Sequence, residues 1–122
     1  MKVEKTTLVL GASLKPDRYS YRAVMSLRNK SIKTFAFGLR TGDIGDVAVF
    51  TSFPLEVEIH TVTMYVGAAR QPQYYEDILG LMPERVIFNP GAENPDFSKL
   101  LIENGIEPVE ACTLVMLSIG NY

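Results

Sequence analysis

One cysteine, one histidine and no tryptophan occur among the 122 residues. With Cys112 alone, an intrachain disulfide and a cysteine-rich metal centre are both excluded. With His60 as the sole histidine, a structural zinc site would need ligands shared between chains. Charge of one sign is missing too: 12 Lys and Arg meet 14 Asp and Glu, a net charge of −2. No overall basic field would draw such a chain to nucleic acid or anionic lipid. Any polyanion it holds must be met by a few local cations. No apolar run reaches the roughly 20 residues of a membrane span. The opening Met-Lys-Val-Glu-Lys-Thr-Thr carries an acid and enters a short apolar run at once, unlike a signal peptide. A reducing cytoplasm is the expected setting.

What is present is the balance of one ordinary globular domain, 47% hydrophobic and 21% charged. Residues 1–122 are expected to form that single domain, with no linker, repeat or low-complexity tract. Thr7-Leu8-Val9-Leu10 is a continuous apolar run ending at Gly11, the pattern of a strand buried on both faces. From Ser20 to Asn29 the period becomes helical, with Ser20, Ala23, Val24 and Leu27 on one face. Strand character returns at 33–38, 61–67, 85–89 and 107–111, and Ile78 and Leu79 mark a short helix between the third and fourth of these five strands. Asn94 as cap, Pro95 at the first helical position and Asp96 in the first turn announce another helix, which Gly105 ends. Strands alternating with helices predict an α/β domain: a Rossmann-like, doubly wound, mostly parallel five-stranded sheet. Thr41 to Ile59 holds two glycines, Pro54 and the run Val47-Ala48-Val49-Phe50, and could form a small extra strand or hairpin in place of a helix.

Ligands of an open parallel sheet bind beyond the carboxyl ends of its strands, where the strand order reverses. Gly11-Ala12-Ser13 lies at such a place, small enough to let an anion approach backbone N–H groups at a helix N-terminus. Lys15, Arg18 and Ser20 could reach the same anion. The bland alternative is a glycine kept for an unusual backbone angle and for close helix–sheet packing. There is no GxxxxGK[ST], which excludes a P-loop. The second strand ends Phe37-Gly38-Leu39-Arg40, without the acid that would hold the ribose diol of NAD. Arg40 suits a phosphorylated ribose instead, as in NADP or in coenzyme A with its 3′-phosphate.

Three stretches carry a resemblance. Gly11-Ala12-Ser13, Lys15-Pro16 and Arg18-Tyr19-Ser20-Tyr21-Arg22 make the first. Asn89-Pro90-Gly91-Ala92-Glu93-Asn94 makes the second, and Gly105-Ile106-Glu107 through Glu110-Ala111-Cys112 the third. Together they resemble the small stand-alone CoA-binding-domain proteins, which share the Rossmann-like fold of the CoA-binding part of succinyl-CoA synthetase. The resemblance implies coenzyme A as ligand, its pyrophosphate over Gly11, Ala12 and Ser13 with Lys15 assisting. Arg18, Ser20, Gly67 and Gly91 join the implied contacts, and Arg40 stands where the family more usually has Asn-Pro-Lys. Gly67-Ala68 replaces the family's more common Phe-Arg.

No convergent catalytic set is expected. His60 precedes the third strand, at the amino end of the sheet. Cys112 follows the fifth, as a small hydrophobe or as a thiol able to meet that of CoA in a mixed disulfide were its pKa lowered. Glu93 is explained by helix capping, and Glu110 similarly lacks a partner set. The expected function is therefore non-catalytic binding of coenzyme A or acyl-CoA. The alternatives are an NADP-linked enzyme, a CoA-transferring subunit needing a partner chain, or a regulatory partner with a vestigial nucleotide site. The apolar ending, with Leu114, Met116, Leu117 and Ile119, is expected to pack on the sheet or to form a homodimer interface.

Overall fold

The computed structural model describes residues 4–122; the opening Met-Lys-Val, part of the segment judged unlike a signal peptide, lies outside them. In chain order the elements are β1 (Thr7–Ala12), α1 (Tyr19–Asn29), β2 (Thr34–Gly38), β3 (Gly42–Ile44), β4 (Val47–Phe50) and β5 (Thr61–Met64). Then come α2 (Tyr75–Leu81), β6 (Arg85–Phe88), α3 (Pro95–Glu103), β7 (Glu107–Glu110) and α4 (Thr113–Ser118). The seven strands form one sheet in the order β3-β4-β2-β1-β5-β6-β7. All neighbours pair parallel except β3 with β4.

The expected α/β class and mostly parallel sheet are observed, but the strand count is seven and not five. The two additional strands are the hairpin at 42–50. Val47-Ala48-Val49-Phe50 alternates buried with exposed residues, as an outer strand with one covered face should. β4 lies parallel to β2, and β3 folds back antiparallel at the edge, so this connection needs no helix. The helix's covering role falls to the following segment: Phe53, Val57 and Ile59 pack in the core on the face that also holds Ile78, Phe97 and Leu101.

β1 sits centrally because Leu8, Val9 and Leu10 are apolar on both faces, and all three are fully buried. On one face Val9 packs with Val24 and Leu27 of α1 and Leu117 of α4. On the other, Leu8 and Leu10 meet Phe88, Phe97 and Ile78. Helices thus cover both faces, the doubly wound arrangement. The best-signalled helix is observed as read: Asn94 Oδ1 accepts the Phe97 N–H at 3.0 Å, Pro95 opens α3, and Gly105 beyond its end has φ +75°. The apolar ending forms α4 against α1. Among the described residues no helix is long and apolar enough to cross a membrane.

Candidate functional site

Strand order reverses at β1, which has β2 on one side and β5 on the other. Beyond the carboxyl ends of these three strands opens a cleft of about 730 Å³. That volume lies within the usual range for small-molecule sites. The cleft's floor depends on two glycines. A Cβ on Gly38 would lie 2.3 Å from the Ala12 carbonyl oxygen, and one on Gly11 would lie 3.0 Å from the Tyr65 carbonyl carbon and Val66 Cγ2. Gly11 also has φ +94° and interrupts the β1–β2 register. Both glycines therefore let the three strand ends converge: Gly11 takes the unusual backbone angle weighed for it, and its close packing is against the end of β5, not the helix–sheet packing expected.

Each strand end delivers one cation to the cleft: Lys15 after β1, Arg40 after β2 and Arg70 after β5. All three side chains are exposed, and no Asp or Glu stands among the lining residues. Among the described residues none of the three is in an ion pair. One wall is aromatic. Phe37 meets Tyr74 edge-on at 5.4 Å between ring centres, and Phe53 stacks behind Tyr74 at 6.4 Å. Tyr65 also lines the cleft, but its hydroxyl is buried without a hydrogen-bond partner. Burial pushes that phenol well above its usual range. Such a cleft can hold a ligand carrying several negative charges and a flat apolar part.

Of the residues expected at the site, Gly11, Ala12, Ser13, Lys15 and Arg40 line this cleft. Arg18, Ser20, Gly67 and Gly91 fall outside its lining. The reason for the first two is the loop between β1 and α1, which is longer than a tight strand-to-helix turn. α1 starts at Tyr19, one residue ahead of the expected start, and none of its residues lines the cleft, so strand ends and not a helix N-terminus make the cradle. Arg18 is the exposed N-cap residue of α1, and Ser20 is buried beneath the loop. Ser20 Oγ accepts the Ser13 N–H at 3.0 Å, which removes one of the backbone donors expected to face an anion. Gly67 lies half-buried just past Val66, and Gly91 donates its N–H to Glu93 Oε1 at 2.8 Å on an exposed loop.

Sequence reasoning missed Arg70, Tyr74 and Gln73. Arg70 lies on a 3₁₀ turn, Ala68–Arg70, two residues past the Gly67-Ala68 pair set against Phe-Arg. Its signal was its place shortly after a parallel strand neighbouring the first. His60 stands at the opposite, amino end of the sheet, as expected, beside Glu4, Lys33, Glu56 and Glu58. Cys112 is half-buried at the N-cap of α4 and does not line the cleft. Among the described residues no cluster of His, Cys, Asp or Glu could hold a metal ion.

Comparison with solved structures shows how widely this frame recurs. A protein described as uncharacterized is 41% identical, with 99% of this chain and 100% of that one covered and a TM-score of 0.93. Cell-free ID.343 from Thermus thermophilus is 22% identical, covering 98% of this chain and 91% of that one, with a TM-score of 0.83. A hypothetical protein from Pyrococcus horikoshii OT3, at 19% identity, covers 96% of this chain and 84% of that one, with a TM-score of 0.86. The latter two share the fold. No curated protein matches the chain. The family model of the CoA binding domain matches residues 5–118. That span takes in every strand and helix of the sheet, and the chain belongs to the CoA binding domain family.

Proposed function

We propose that the protein binds coenzyme A or an acyl-CoA in the cleft at the β1 reversal point, without itself catalysing a reaction. One observation carries this: three cations from three strand ends line one cleft whose lining holds no acid. A ligand with both a pyrophosphate and a separate ribose phosphate matches several such cations. The Phe37–Tyr74 wall offers a surface on which a purine can stack. Family membership favours CoA among the phosphate-rich nucleotides. A single unpaired cysteine fits the reducing cytoplasm as its setting.

Arg40 would serve the 2′-phosphate of NADP equally well, which keeps an NADP-linked activity as the second reading. Calorimetry with CoA, dephospho-CoA, NADP and NAD separates them. CoA should bind most tightly, and loss of its 3′-phosphate should cost about 1.5–3 kcal/mol, the worth of a charged hydrogen bond. The Arg40→Ala variant should lose that preference. No heat with CoA at millimolar ligand overturns the function, and tighter binding of NADP would promote the enzyme alternative. Equal affinity for CoA and dephospho-CoA would retire Arg40 alone.

A further inference from the structure

Arg70 reaches the cleft from the tip of a short loop, and its neighbour Gln71 points the other way, fully buried. Gln71 Nε2 donates to the Val66 carbonyl oxygen at 2.8 Å and to that of Ala92 at 2.7 Å. Its Oε1 accepts from Asn94 Nδ2 at 2.9 Å. Both amide protons and the carbonyl oxygen are thereby used. Asn94 is fixed in turn, since it caps α3 and also donates to Tyr75 Oη at 2.8 Å. Along the backbone, Arg70 N–H bonds the Gly67 oxygen and Gln71 N–H that of Ala68.

A buried amide needs every partner in place, whereas an apolar side chain would fill the same space without partners. What the amide adds is a tie between two loops. Its bond to Val66 closes the loop that carries Arg70 onto the end of β5. Its bonds to Ala92 and Asn94 fasten that loop to the segment between β6 and α3. A cation held in place before the ligand arrives spares the cost of ordering it on binding.

We propose that Gln71 is a positioning residue of the cleft: it clamps the β5–α2 loop so that Arg70 joins Lys15 and Arg40 around one phosphate-bearing ligand. This rests on CoA binding as the function. The test is a double-mutant cycle of Arg70→Ala and Gln71→Met, read by calorimetry with CoA on folded protein at fixed ionic strength. Arg70→Ala should weaken binding by about tenfold or more. Gln71→Met should weaken it about three- to tenfold beside Arg70 and by less than about twofold without it. Equal effects in both backgrounds make Gln71 merely structural and overturn the proposal. Should Gln71→Met not fold, Asn94→Asp takes its place in the cycle, keeping the capping oxygen while removing the N–H given to Gln71. If the natural chain shows no heat with CoA, CoA binding fails as the function, and amide exchange of the free protein still decides the clamp. Gln71→Met (or its replacement) should then speed exchange at Arg70 and Gln71 about tenfold relative to β1, and unchanged protection overturns the clamp.

Discussion

Gly38 and Gly67 both stand near the carboxyl ends of strands, yet their surroundings demand opposite outcomes. A Cβ on Gly38 would collide with backbone, 2.3 Å from the Ala12 oxygen, and neither strand can yield without opening the sheet. Gly38→Ala should therefore cost about 2–4 kcal/mol, visible as a lowered urea midpoint. Gly67 has φ −62°, and a Cβ there would meet nothing within 4 Å. Gly67→Ala should leave stability unchanged or raise it by up to about 1 kcal/mol, by restricting the unfolded chain. An equal loss for both would refute the convergence of strand ends. In the sequence the two glycines carry the same signal, a stop after an apolar run. Only the approach of β1 to β2, a contact between distant residues, separates them.

At the scale of elements, α1 and α3 were legible because local chemistry sets them. The face of Ser20, Ala23, Val24 and Leu27 is buried as its period requires, and the Asn94–Pro95 start of α3 is a property of adjacent residues. The β3–β4 hairpin was only partly legible, since its pairing is completed by β2 and by α1 packed beside it. Arg28 near the end of α1 forms a bidentate pair with Asp46 in the hairpin turn, through Nε at 3.0 Å and Nη2 at 2.8 Å. The hydrogen bonds from Arg28 hold the Asp46 carboxyl below its ordinary range. A lowered folded pKa contributes stability above the unfolded value and loses it as pH falls through the folded one. Asp46→Asn should accordingly flatten part of the acid limb of stability between about pH 5 and pH 2, measured by urea midpoints. The change should be small, because both side chains are exposed to solvent. An acid limb of unchanged slope would show that the pair does not persist in solution.

Across the whole molecule, the two ends of the described chain meet beside β1. Tyr122 Oη lies 2.5 Å from Thr7 Oγ1, and Lys5 Nζ donates to the Tyr122 carbonyl oxygen. The Arg85 guanidinium lies over the Tyr122 ring at 4.5 Å. Burial pushes the Tyr122 phenol up, opposed by the Thr7 bond and the Arg85 charge. A phenol whose folded pKa is raised gives stability that is whole below its unfolded pKa and is lost as pH rises through the folded one. Tyr65 acts in the same direction. Stability should therefore fall above about pH 10, and Tyr122→Phe should make that fall shallower while lowering the neutral-pH value by about 1 kcal/mol for the lost hydrogen bond. An alkaline slope identical in the variant would mean that Tyr122 ionises as freely folded as unfolded.

The sequence by itself determined the alternation of strand and helix outside residues 41–59, the two-faced burial of β1, the caps of α3 and the lack of an acid at the end of β2, in Phe37-Gly38-Leu39-Arg40. These follow from period and neighbouring residues. Tertiary structure decided which cations share the cleft. It brought in Arg70, buried Ser20 against the Ser13 N–H, and left Arg18 and Gly91 outside. Strand order makes that choice, because residues far apart along the chain become neighbours only where parallel strand ends converge.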